Sequence, residues 1–156
     1  MSPVAPKGSL AGSIHKFGYR LIGISGRQWR GHQLAWLLMT GLWPKHQIDH
    51  IDGNRANNAW RNLRAASRSE NARNRSVGAS TKSGYKGVYP HVTGGYVAKI
   101  RFGGRGVHLG CFADRASAAA AYDQAAREAF GSFAALNFPR PGEVSCHRRS
   151  HCSSLA

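Results

Sequence analysis

Acidic residues are scarce in this chain: 7 Asp and Glu stand against 22 Lys and Arg, a formal net charge of +15 over 156 residues. The excess is spread over both halves and predicts a polyanionic partner, for which nucleic acid is the best fit. An anionic membrane surface is the rival. However, no stretch is apolar enough to span a bilayer, and no basic amphipathic helix stands out. A basic protein without such a partner is the third alternative.

Cysteine is also rare. The three cysteines, two of them near the end of the sequence, do not make a disulfide framework. The first 13 residues lack the apolar core of a signal peptide. Both observations favour an intracellular, reducing setting.

The first half alternates short extended runs with helical segments. Alternation around Ser25-Gly26 predicts a β-hairpin, and the spacing of leucines in 32–41 predicts a helix. Two further extended runs, IDHI and NLRAAS, flank a turn at Asp52-Gly53. The S-x-x-E pattern at Ser67 predicts that a helix follows directly.

The second half has a different pattern. Residues 76–84 have linker composition, and three strand candidates separated by Gly-rich turns follow them. Asp114 is a predicted N-cap for an Ala-rich helix that runs to about Phe130. This order predicts a three-stranded antiparallel sheet covered by one helix, with the other face free for a partner.

Residues 48–74 combine the groups that phosphodiester hydrolysis requires. An imidazole can take a proton from water, and a hard divalent cation held by oxygen ligands can neutralise charge at phosphorus. Asp49 offers a carboxylate, Asn71 an amide oxygen and His50 the imidazole. The alternative for Asp49 is a simple ion pair with a nearby arginine. The alternative for His50 is a structural histidine.

The segments IDHIDGN, Asn57-Asn58, Asn62-Leu63 and ENARN resemble the signature of phage and intron-encoded HNH endonucleases over about residues 17–75. The resemblance implies a ββα-metal fold in which Asp49 and Asn71 ligate Mg²⁺ or Mn²⁺. It also implies that His50 is the general base and that Asn62 holds the His50 loop or ring, so the catalytic residues are His50 and Asn62. Asn74 is a weaker second candidate near the metal.

Residues 85–139 resemble an AP2 domain, through the segments YKGVY, AKIRF, LGCF, AAAAYDQAA and LNFP. In that family the sheet face lies in the major groove of DNA. The resemblance implies six DNA-facing positions: Tyr89, His91, Lys99, Arg101, Arg105 and His108. Arg101 is the best candidate to read guanine with two hydrogen bonds, and Lys99 and Arg105 are candidates for phosphate contacts. The alternative is a solvated charged strand.

The sequence therefore predicts an α+β protein in five segments. These are a flexible N-terminus (1–16), an HNH domain of ββα-metal type (17–75), a linker (76–84), an AP2-like domain (85–139) and a disordered tail (140–156). Two Cys-His pairs in the tail leave a zinc site as an alternative to disorder.

The predicted function is metal-dependent cleavage of double-stranded DNA by a homing-type endonuclease. The predicted location is the cytoplasm of a bacterial or phage-infected cell, with no membrane contact and no obligate protein partner. One alternative is a non-catalytic, sequence-specific DNA-binding protein with a decayed HNH half. Another is an RNA-binding module, which would require stacking aromatics on the binding face.

Overall fold

The computed structural model describes residues 9–75, 77 and 81–147. It is a mixed α/β structure of small sheets, mostly antiparallel, and few helices, in agreement with the predicted class. The chain divides into two compact units, Met1–Ser67 and Arg68–Ala156. Among the described residues, no helix has the length and apolar character needed to cross a bilayer.

The first unit contains a three-stranded antiparallel sheet, one helix and a separate hairpin. The sheet comprises β1 (Ser13–Ile14), β2 (Arg20–Ile24) and β3 (Arg27–Arg30), and α1 (Gly31–Thr40) follows directly. Ser25 and Gly26 have φ of 48° and 76°, which suits the tight turn between β2 and β3 and confirms the predicted hairpin. Gly41 ends α1 in the left-handed conformation, as the sequence predicted.

The antiparallel hairpin of β4 (Gln47–His50) and β5 (Leu63–Ala66) positions the candidate catalytic residues. Ile48 and Leu63 are buried in it, and so are the polar side chains of Asp49 and His50. Two tryptophan pairs support this unit, Trp29 with Trp43 and Trp36 with Trp60, each with ring centroids 5.2 Å apart. Aromatic contacts of this kind add packing where few aliphatic side chains are available.

The second unit begins with α2 (Arg68–Arg73), which the sequence had assigned to a domain ending at residue 75. Its main sheet has the order β6 (Val88–Pro90), β7 (Tyr96–Phe102) and β8 (Arg105–Phe112), all antiparallel. The helix α3 (Arg115–Phe130) packs against this sheet, and its alanines allow a close approach. Asp114 caps α3 by accepting the backbone N–H groups of Ala116 and Ser117, as predicted.

The C-terminal segment differs from the disorder expected from residue 140. Val144–Ser145 form β10, which pairs in parallel with β9 (Ala135–Leu136). Cys146 is fully buried, and its backbone carbonyl accepts the N–H of Val77 at 2.9 Å. The burial of Cys146 and its backbone pairing order this segment. His151 and Cys152 of the zinc alternative lie outside the described residues.

Candidate functional site

Asp49 lies on β4 directly opposite Arg64 on β5 and is almost completely buried. The Nε and Nη2 atoms of Arg64 both donate to Asp49 Oδ2, at 2.9 and 2.7 Å. The ion pair that the sequence left open as an alternative is therefore present. Because Arg64 bonds the Asp49 carboxylate from two nitrogens, it fixes the orientation of that carboxylate beside His50.

His50 is held by an asparagine from the loop that connects β4 and β5. Its Nε2 lies 3.0 Å from Asn58 Oδ1. With the amide oxygen facing the ring, Nε2 carries the hydrogen and Nδ1 keeps the lone pair that can accept a proton. Burial lowers the pKa of His50 below its usual value of 6.5, against smaller raising effects of Asn58 and Asp52. His50 is therefore neutral at physiological pH, as a general base must be.

Asn62, the proposed middle member of the site, organises the loop after His50. Its amide nitrogen donates to Asp52 Oδ1 at 2.9 Å and to the Asn57 carbonyl at 2.8 Å, and its amide oxygen accepts the Asp52 N–H at 3.0 Å. Asp52 Oδ1 also accepts the N–H of Asn54 at 2.8 Å, which is the turn role expected from the sequence. These bonds fix the loop that carries Asn58.

A second imidazole adjoins the first. His32, on α1, is 5% exposed, and its ring meets that of His50 edge-on at a centroid distance of 5.1 Å. Its Nδ1 has no hydrogen-bond partner among the described residues. Burial, with His50 and Arg30 nearby, lowers the pKa of His32 to about 4. His32 is thus a neutral ring that packs against His50.

Asp49 offers a carboxylate, which is a donor type that hard cations bind. Across residues 9–75, 77 and 81–147, no three His, Cys, Asp or Glu side chains cluster as a metal site, so a zinc-type arrangement is not present there. Carboxylate and amide oxygens are ligands that Mg²⁺ accepts. Asn71, the proposed second ligand, is half-buried on α2, and Asn74 after it is buried.

Gly31 borders Asn58, and this contact gives a specific prediction. A Cβ at Gly31 would lie 2.5 Å from Asn58 Nδ2. Gly31→Ala should therefore displace the amide from His50 and lower the DNA cleavage rate by about fivefold to tenfold, the equivalent of one lost hydrogen bond of about 1 kcal/mol. Single-turnover cleavage measures this effect. Gly23→Ala is the matched control, because a Cβ there meets nothing within 4 Å. Equal rates for the two variants would contradict the positioning role of Asn58.

Three of the six candidate DNA-binding residues of the second unit lie together on one face of the sheet. Tyr89, Lys99 and Arg101 line a shallow cavity of about 290 Å³ together with Ile100 and Gly106. Tyr89 is 53% exposed, and Lys99 and Arg101 are exposed on β7. The face therefore presents two cations and one aromatic ring to solvent.

The remaining three candidates differ in their placement. His108 lies in register with Lys99 and is exposed beside it, with Nε2 3.8 Å from Cys111 Sγ. His91 follows β6, and its Nδ1 lies 2.7 Å from Thr93 Oγ1 in the turn. Arg105 lies in register with Phe102, which alternates with Arg101 along β7, so the sheet does not group Arg105 with the other cations.

Comparisons with known proteins match both halves. A family profile of HNH endonucleases matches residues 30–73. An uncharacterised HNH endonuclease of Acanthamoeba polyphaga mimivirus is 32% identical over 125 residues, 80% of this chain and 65% of that protein. Two Arabidopsis thaliana proteins, dehydration-responsive element-binding proteins 2A and 2D, are 41% identical over 63 residues and 40% over 86. The chain has an HNH plus AP2-like domain architecture.

The chain spans only part of these relatives. The two plant matches cover 19% and 42% of the plant proteins, and 39% and 54% of this chain, respectively. Residues 30–73, the matched HNH region, include α1, the β4–β5 hairpin and α2. Asp49, His50, Asn62 and Asn71 all fall within that range.

Two residues of the HNH region gain a role that the sequence did not assign. Asn58 holds the His50 ring. Arg64 pairs with Asp49. The register of β4 and β5 places residues 49 and 64 opposite each other. A correct prediction of that register would therefore have identified Arg64 as the partner of Asp49. No local signal distinguishes Asn58 from the neighbouring asparagines.

Proposed function

We propose that this chain is a metal-dependent DNA endonuclease of the homing type, with a target-binding half that is AP2-like. The observation that carries the proposal is the buried pair of Asp49 and His50 at the end of β4, with His50 held by Asn58. Burying a carboxylate and an imidazole side by side costs free energy, which is typical of functional sites. The HNH match over residues 30–73 supports the same interpretation.

The proposed reaction is hydrolysis at phosphorus to 5′-phosphate and 3′-hydroxyl ends. His50 takes a proton from the attacking water at Nδ1, while Asn58 fixes Nε2–H and thereby the tautomer. Asn62 holds the loop that positions Asn58. The resemblance to HNH enzymes assigns Asp49 and Asn71 as the residues that would hold the cation. When bound, Mg²⁺ or Mn²⁺ supplies positive charge for the phosphoryl oxygens and the leaving oxygen.

The AP2-like half would deliver the enzyme to double-stranded DNA. Lys99, Arg101 and Tyr89 form the exposed face, with His108 beside Lys99. His91, in the turn after β6, and Arg105, on β8, are the remaining proposed DNA contacts. Arginine can bond guanine with two hydrogen bonds in the major groove, which makes Arg101 the proposed base reader. No obligate protein partner and no membrane is required for this activity.

A plasmid-nicking assay with and without EDTA tests the proposal. Supercoiled DNA should be converted to nicked or linear product in Mg²⁺ or Mn²⁺, and chelation should stop the conversion. End-labelling should find 5′-phosphate and 3′-hydroxyl termini. DNA binding without cleavage in either metal would instead favour the non-catalytic alternative.

A further inference from the structure

Tyr19 carries two arginines on its ring. The guanidinium carbon of Arg30 lies 5.2 Å from the ring centroid, and that of Arg55 lies 5.0 Å from it. The three residues come from separate segments: Tyr19 precedes β2, Arg30 ends β3, and Arg55 lies in the β4–β5 loop. Arg55 Nη1 also donates to the Phe17 carbonyl at 3.1 Å. The fold therefore places two cations from distant parts of the first unit against the same ring.

The same ring lies next to the histidines. The Tyr19 centroid is 6.2 Å from that of His50 and 5.3 Å from that of His32. Arg55 acts electrostatically to lower the pKa of His50, and Arg30 does the same for His32. The two guanidinium groups are thus close enough for their charge to be felt at the candidate general base.

Neither Arg30 nor Arg55 forms a carboxylate ion pair within the described part of the chain. Both side chains are exposed. Two like charges on one ring repel each other, and a bound anion in contact with both would offset that repulsion. Cation–π attraction to the Tyr19 ring needs only one arginine, so it does not by itself explain why two are placed there.

We propose that Arg30 and Arg55, held by Tyr19, form a clamp for phosphodiester groups of the DNA strand beside the bond that is cut. This inference rests on the proposed function and assigns part of its substrate contact to residues outside the HNH signature. Arginine suits the task because its planar fork can bond two phosphate oxygens at once. A clamp beside His50 also stabilises the negative charge that develops at phosphorus.

The clamp predicts separate effects on rate and on binding. Arg30→Ala and Arg55→Ala in the full chain should each lower the single-turnover cleavage rate at saturating duplex DNA by about tenfold or more. Each should also reduce the slope of log affinity against log salt by about 0.9, because one phosphate contact is lost. The matched control is Arg27→Ala, an exposed arginine on the same strand β3. It should keep the rate within about twofold.

The Tyr19 ring can be tested apart from its hydroxyl. Tyr19→Phe keeps the aromatic face and should cleave about threefold to tenfold faster than Tyr19→Leu, which loses that face. Arg30→Lys and Arg55→Lys keep the charge and lose the fork, so their rates should fall between those of the arginine and alanine forms. Circular dichroism identifies any variant that fails to fold. If an alanine or leucine variant does not fold, the lysine and phenylalanine variants test the clamp in its place.

Failure of the clamp is distinguishable from failure of the proposed function. If the unchanged chain cleaves DNA and the folded alanine variants match it in rate and in salt slope, the clamp is wrong. If the unchanged chain does not cleave, the nuclease proposal fails. In that case the clamp can still be tested by the salt slopes and by phosphate-ethylation interference on bound duplex. If Arg30→Ala and Arg55→Ala lose interference at the same phosphates, the clamp is supported. If the interference pattern of both variants equals that of the unchanged chain, the clamp is wrong.

Discussion

Replacing His50 by alanine is expected to lower the single-turnover rate of DNA cleavage by about 10²–10⁴-fold, the usual contribution of a general base. The affinity for duplex DNA should stay within about twofold, since the AP2-like half carries most of the proposed binding. The physical reason is the lost Nδ1 lone pair, which Asn58 directs by holding Nε2 at 3.0 Å. Cleavage kinetics with labelled duplex and a binding titration in EDTA measure the two quantities.

The reciprocal variant is the control for this experiment. Replacing both Lys99 and Arg101 by glutamine should weaken DNA binding and reduce its salt dependence, because both side chains are exposed cations on the sheet face. Cleavage should recover when DNA is supplied at high concentration, because His50 is unchanged. Equal loss of binding and cleavage in His50→Ala, at every DNA concentration, would contradict the assigned role.

Gly87→Ala is expected to cause the largest loss of stability in the second unit. Gly87 has a φ of +74°, and a Cβ there would overlap the ring of Tyr122, a buried residue in the core beneath the sheet. Left-handed backbone at alanine costs about 1 kcal/mol, and overpacking adds typically 1–3 kcal/mol or more. The melting temperature of a domain of this size should fall by at least about 10 °C, as measured by thermal unfolding.

Gly84→Ala separates the two causes. Gly84 has a φ of +76°, nearly the same as that of Gly87, but a Cβ there meets nothing within 4 Å. It should therefore show the backbone cost alone, a loss of about 4–8 °C. If Gly84→Ala and Gly87→Ala unfold at the same temperature, the contact between Gly87 and Tyr122 contributes nothing to stability.

Local signals predicted most of the secondary structure correctly. The Ser25-Gly26 turn, the end of α1 at Gly41 and the N-cap at Asp114 depend on the conformations or hydrogen bonds of a few consecutive residues. Such features can be deduced from residue type because their energetics are local. The alternation along β7 likewise placed Lys99 and Arg101 on the exposed face.

Long-range pairing limited the interpretation of the candidate site. The sequence indicated that Asp49 and His50 matter but left the partner of each open. Arg64 is selected by the register of β4 and β5, and Asn58 is selected by a loop that Asn62 and Asp52 hold together. Five asparagines between 54 and 71 are chemically alike, so only the folded loop decides which one meets His50.

Helical periodicity predicts an inward stripe of α3 made of Ala118, Ala121, Tyr122, Ala125 and Ala129, and these five residues are buried in the core or pack against it. It misses Ala119, Asp123 and Ala126, which are also buried. Asp123 is buried because its carboxylate accepts the backbone N–H groups of Asn137 and Phe138, at 2.8 and 2.7 Å. Because these backbone donors are distant in sequence, the residue pattern of α3 cannot distinguish a buried carboxylate of this kind from an exposed one.

The parallel pairing of β10 with β9 changes where the DNA-binding half ends. Cys146 donates its N–H to the Leu136 carbonyl and accepts that of Val77, so the last strand joins residues from both margins of the AP2-like region. A fragment cut at residue 139 would uncover the edge of Leu136 and release Val77 from its backbone partner. Expression of this half in isolation should therefore retain residues 68–147 and not only the sheet and its helix.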